Sequence, residues 1–78
     1  MSTSVNDDLA VDVVIDDREL HVRMKDGRTI SAPLNWFPRL AGASSADRAD
    51  WRLIGAGEGV HWRRLDEDVS ISALLRGR

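Results

Sequence analysis

From Leu9 onward, apolar and polar residues alternate in short runs separated by turn-forming residues, the pattern of antiparallel strands. Val11, Val13 and Ile15 alternate with Asp12, Val14 and Asp16, and Leu20, Val22 and Met24 alternate with His21, Arg23 and Lys25. Each run predicts a strand with one face toward a core and the other toward water. The short polar link Asp16-Asp17-Arg18-Glu19 joins them as a hairpin. Asp26-Gly27 then predicts a two-residue type I′ turn into a third strand at Arg28-Thr29-Ile30, which completes a meander.

Pro33 ends that strand or opens a short helix, because proline cannot donate to a ladder but suits a first helical position. Leu34, Trp36, Phe37 and Leu40 fall at roughly helical spacing, Pro38 splits the region into two short turns, and Gly42 terminates it. Ser44-Ser45-Ala46-Asp47 resembles a capping signal and predicts a helix running to about Trp51. Arg52-Leu53-Ile54 and Val60-His61-Trp62, joined by the glycine-rich turn 55–59, predict another hairpin. Ser70 then caps a short helix through Ile71, Ala73, Leu74 and Leu75 that ends at Gly77. The resulting expectation is a polar, flexible leader over residues 1–8 and one α+β domain over residues 9–78. That domain is a meander of three strands plus a C-terminal hairpin, about five strands in all, with short helices on one face.

Composition narrows the function classes. A chain of 78 residues has room for one core. With so little surface to hide, covering apolar area by self-association or a partner would add stability. Its 42% apolar and 31% charged residues are those of a folded globular domain. The absence of cysteine excludes a disulfide scaffold, a thiolate metal site and a cysteine nucleophile, and fits a reducing compartment. No apolar run approaches a membrane span and the first twenty residues lack a signal-peptide pattern, so the expected location is cytoplasmic. Net charge is −2, with seven acids against three bases in residues 1–26 and six against eight in 27–78. That weak asymmetry falls short of the basic excess that drives phosphate binding.

The run from Asp26-Gly27-Arg28 through Trp36-Phe37-Pro38-Arg39-Leu40, Trp51-Arg52-Leu53-Ile54-Gly55, Gly59-Val60-His61-Trp62, Leu65-Asp66-Glu67-Asp68-Val69-Ser70 and Leu74-Leu75-Arg76-Gly77 resembles a small bacterial family known as domain of unknown function 2442. Arg63 stands where that family more often has proline. The resemblance implies an α+β fold and no established activity. It also implies a context: some members lie beside another small protein in arrangements like toxin and antitoxin pairs, and others carry an appended helix-turn-helix. No such appendage is expected in the present sequence, which ends at Arg78.

Candidate chemistry is sparse. Asp66, Glu67 and Asp68 with His61 nearby suggest a metal or acid/base site, but neighbouring carboxylates on an extended segment point in alternating directions. Capping and solvation are the expected roles, with Asp68 favouring the start of the last helix. His21 and His61 sit between apolar strand residues and should face away from the core, without partners suited to catalysis. The glycines at 55, 57 and 59 lead into a strand, so a hairpin turn accounts for them better than a phosphate loop. No cofactor, metal or catalytic residue is expected, and the chain reads as a non-enzyme.

Binding residues are the remaining candidates. At least two of Trp36, Trp51 and Trp62 should be core residues, and Trp36, beside Pro38, is expected to stay partly exposed at a binding surface with Arg39. Arg23, Lys25 and Arg28 form a basic hairpin tip, which Arg63 and Arg64 would extend if the hairpins are adjacent; the tip reads first as a solvated edge that charge protects from sheet-to-sheet pairing and second as a contact for phosphates or an acidic partner. The preferred expectation is a protein-interaction module with a protein partner, such as a toxin, or a second copy of itself. The alternative is a weak nucleic-acid-binding or transcription-regulatory domain using the basic tip.

Overall fold

The computed structural model describes residues 8–77, so the expected leader, apart from Asp8, lies outside the described residues. The chain folds as two three-stranded antiparallel sheets with short helices between and after them. Sheet A is a meander of β1 (Ala10–Ile15), β2 (Glu19–Met24) and β3 (Thr29–Pro33), and sheet B a meander of β4 (Trp51–Ile54), β5 (Gly59–Trp62) and β6 (Glu67–Ser70). Between the sheets run a 3-10 turn at Leu34–Trp36, α1 (Pro38–Ala41) and α2 (Ser45–Ala49), and α3 (Ile71–Arg76) closes the described chain.

Local chemistry explains most boundaries. Pro38 occupies the first position of α1, where its missing N–H is not needed. Ser44 and Ser70 cap α2 and α3, each hydroxyl accepting a backbone N–H three residues on, from Asp47 at 3.1 Å and Ala73 at 3.3 Å. Gly77 takes a positive φ of 83° at the C-cap of α3.

The α+β class holds, with three local differences from expectation. The first is at Asp26-Gly27: only Gly27, at φ 98°, is left-handed, and Met24 N–H donates to the Arg28 carbonyl at 2.7 Å. The loop is therefore three residues long, a type I turn with Gly27 at its left-handed position, rather than a two-residue type I′ turn. Second, a bulge at Val11 shifts the β1 register, pairing Ala10 with Met24 but Asp12 with Arg23. Ala10 consequently takes the buried position, while Val11, expected inward, is 46% exposed. Third, Glu67–Ser70 forms a sixth strand paired with β5, so the C-terminal hairpin becomes a full meander.

The core is shared by both sheets. Leu20, Val22 and Met24 of β2 pack with Leu34, Leu40, Val60, Trp62, Val69, Ile71 and Leu74 in one cluster. The sheets meet where the β4–β5 turn abuts the start of β1: Ala10 N–H donates to the Gly57 carbonyl at 2.8 Å. Gly57 is buried, with φ 118°, and a Cβ there would lie 2.9 Å from the Ala10 nitrogen and closer still to its carbonyl oxygen. Only glycine fits that approach. Among the described residues no helix is long and apolar enough to cross a membrane.

Candidate functional site

The three tryptophans have three different environments. Trp62 is the fully enclosed one, 0% exposed, and its indole N–H donates to the Arg48 carbonyl at 2.9 Å. Trp51, opposite it across the β4–β5 ladder, is half-buried against the core edge, so the expectation of two enclosed rings is met by one. Trp36 is half-buried at the end of the 3-10 turn, beside Phe37 in an edge-to-face arrangement with centroids 6.5 Å apart and planes at 61°.

Trp36 and Phe37 form one wall of a cleft of about 250 Å³ whose other walls are β6 at Asp68, Val69 and Ser70 and α3 at Ala73 and Leu74. Pro33 and Pro38 explain the placement of the aromatic wall. They confine the intervening residues to a single tight turn, which leaves both rings at the rim instead of folding them inward. Arg39 stands at the head of β6, its guanidinium donating to the Asp66 carbonyl and lying 3.9 Å from Glu67. The sequence alone does not mark Phe37, Leu74 or the β6 backbone as lining a cleft. Phe37 and Leu74 share a helical periodicity that reads equally as core, and β6 has a single inward apolar residue, Val69.

The basic residues are spread and largely engaged. Arg23 and Lys25 are exposed near the β2–β3 loop, as expected. Arg28, however, is held by Asp8 and Asp26, at 2.7 Å each. The Arg28 backbone N–H and guanidinium keep the Asp26 carboxyl below its usual value, and Asp8 followed by Asp26 raise the Arg28 pKa. Arg63 and Arg64 lie past the far end of β5 from the Gly57 junction, near the α2 acids: Arg63 is 3.7 Å from Asp50, and Arg64 is 3.6 Å from Asp47 and 3.8 Å from Asp50. They do not extend the Arg23-Lys25-Arg28 tip.

Both histidines have carboxylate partners, His61 in the acidic run that the sequence sets near it and His21 in Asp16, which the sequence does not single out. His61 Nδ1 contacts Asp68 across the β5–β6 ladder, so Asp68 serves a cross-strand pair rather than the α3 N-terminus. His21 Nε2 lies 2.8 Å from Asp16 and its Nδ1 is 2.6 Å from the Ser31 hydroxyl. Asp16 also accepts the Arg18 and Glu19 backbone N–H groups at 2.8 and 2.7 Å. His21 first and those amides second bring the Asp16 carboxyl from 3.8 to about 2. Asp16, Glu19 and His21 place ligand atoms within 4.8 Å of one another, the cluster best able to hold a cation among the described residues. Its hydrogen bonds already fix Asp16 and His21, tying the β1–β2 turn to β3 across the exposed face of sheet A.

Fold and cleft together define a small α+β domain of two antiparallel meanders, with an aromatic-walled groove beside an edge strand. The chain belongs to the family described as protein of unknown function (DUF2442), which matches residues 10–78. A crystal structure of a protein of unknown function from Rhodospirillum rubrum ATCC 11170 is similar, with a TM-score of 0.74 and 30% identity, covering 88% of this chain and 86% of that one. No curated protein matches the chain.

Proposed function

We propose that the chain is a non-catalytic protein-interaction module that receives a partner protein in the cleft between Trp36-Phe37 and the β6–α3 segment. One observation carries this reading: two adjacent aromatic rings hold half-exposed faces toward a groove floored by Val69 and Leu74. Aromatic side chains partly sheltered at a concave surface are the residues that dominate binding energies. Arg39, 59% exposed beside Asp66 and Glu67, supplies a polar rim. The gene arrangements of the resembling family suggest a small toxin as the partner, which makes the module antitoxin-like, and a cysteine-free composition suits a cytoplasmic setting.

Affinity purification from the native host, with Trp36→Ala as the control, tests the reading. A protein recovered by the wild type should bind the variant about 30-fold or more weakly, the effect of losing a hot-spot aromatic. Equal recovery by both, or a solution mass of two chains that Trp36→Ala leaves unchanged with no other protein recovered, would remove the cleft from consideration. The nucleic-acid alternative has less support, because Arg28, Arg63 and Arg64 are all close to carboxylates. Binding that rests on Arg23 and Lys25 should weaken steeply with salt.

A further inference from the structure

The cleft runs along a strand edge, and the ladder register shows which backbone groups that edge presents. Ile71 N–H donates to the Glu58 carbonyl at 3.0 Å, continuing the β5–β6 pairing in which Val60 faces Val69 and His61 faces Asp68. Hydrogen-bonded and non-bonded pairs alternate in an antiparallel ladder. Val60–Val69 is therefore a bonded pair, and His61–Asp68 and Gly59–Ser70 are not. The N–H and C=O of Asp68 and the N–H of Ser70 thus point away from β5, at the outer edge of sheet B, where Asp68, Val69 and Ser70 line the cleft.

We infer that the partner enters this cleft as an extended segment that pairs with β6 as a fourth strand, with a lysine or arginine opposite Asp68 and an apolar residue on either side of it. This inference rests on the interaction-module reading and specifies its mode. An extended segment added to a sheet edge draws affinity from main-chain hydrogen bonds and specificity from alternate side chains. The residue bonded to Asp68 shares its face of the sheet, which is the outer face where the Asp68 carboxylate is 67% exposed. A basic side chain there meets that carboxylate from the side opposite its cross-strand partner His61. The flanking residues point to the opposite face, the side of buried Val69 and Leu74, against Trp36 and Phe37. Arg39 lies beside Asp66 and Glu67, but the Asp68 carboxylate, in contact with His61, is 67% exposed on the outer face, so two copies of β6 paired edge to edge at Asp68 would oppose like charges. A basic segment of another protein fits where a second copy of this chain is repelled.

The probe is a short end-blocked peptide alternating leucine and lysine, titrated into the isotope-labelled full chain and followed by amide shifts and hydrogen exchange. The Asp68 and Ser70 amides should shift and gain protection, and the Trp36 indole should shift with them. N-methylation of the lysine amides, which face β6, should weaken binding roughly tenfold or more, while methylation of the leucine amides should leave it within about twofold. Asp68→Lys should reverse the preference toward a leucine–glutamate peptide. If both methylated peptides bind alike, strand addition is wrong, although binding in the cleft stands. A leucine–glutamate peptide that binds wild type as tightly overturns the charge requirement. Protection of both amides in a peptide-free dimer overturns the choice of occupant. If no peptide shifts the cleft while Trp36→Ala still abolishes capture of a host protein, this inference falls and the interaction module survives; if neither effect occurs, both fall.

Discussion

Substituting Gly57 with alanine should separate the energy of the junction between the two sheets from the general cost of a left-handed backbone. Gly57 has φ 118° and carries the carbonyl that accepts Ala10 N–H at 2.8 Å, and the added methyl would collide with the Ala10 backbone. Gly27 has a similar φ of 98°, but a methyl there meets nothing within 4 Å. A positive φ alone costs alanine about 1–2 kcal/mol, offset by less than about 1 kcal/mol through the unfolded chain, so Gly27→Ala should cost about 1 kcal/mol. Gly57→Ala adds the displacement of a backbone segment and a weakened hydrogen bond, about 2 kcal/mol more. Against the 4–12 kcal/mol or so expected of a domain this size, about 3 kcal/mol is a large share. Urea unfolding followed by tryptophan fluorescence measures both. With a slope of about 1 kcal/mol per molar, the midpoints should fall by about 3 M and about 1 M. Midpoints equal within about 0.5 M would show that the Gly57–Ala10 approach contributes nothing beyond its φ, and the description of how the sheets are joined would be wrong.

Trp62→Phe removes a ring that is 0% exposed and its bond to the Arg48 carbonyl. It should cost about 3 kcal/mol by circular dichroism melts, against about 1 kcal/mol for Trp51→Phe. Equal costs would refute the different burial of the two rings. Ser70→Ala removes the α3 cap and should lower stability by about 1 kcal/mol, a fall of several degrees in Tm; an unchanged Tm would show that the cap is dispensable. Because the Asp16 carboxyl is depressed to about 2, its contribution to stability is complete above its ordinary value of 3.8 and is lost as pH falls toward 2. Asp16→Asn should flatten the wild-type acid limb in that window, and an Asp16 carboxyl titrating near 3.8 by NMR would contradict the hydrogen bonding described. Because the Asp16–His21–Ser31 chain is assigned a structural role, hydrolysis of an activated ester should be the same for wild type and Ser31→Ala. Activity abolished by the substitution would end the non-catalytic reading.

Features that depend on neighbouring residues can be read directly from the chain. Alternation from Leu20 to Met24, the capping hydroxyls of Ser44 and Ser70, and prolines 33 and 38 act over one turn or one strand, and each lies where its local chemistry puts it. Trp36 was legible as a rim residue for the same reason, since Pro38 acts next to it. Features that depend on partners distant along the chain emerge only once the two sheets have packed. The bulge that turns Val11 outward accompanies the approach of Gly57 to Ala10, 47 residues away in sequence. Strand β6 has one inward apolar residue and too weak an alternation to announce itself, and it exists because β5 offers it a ladder and Ile71 bonds to Glu58. The cleft required both: aromatic rings placed by local turn chemistry, and a strand edge that comes beside them only when the second sheet has formed.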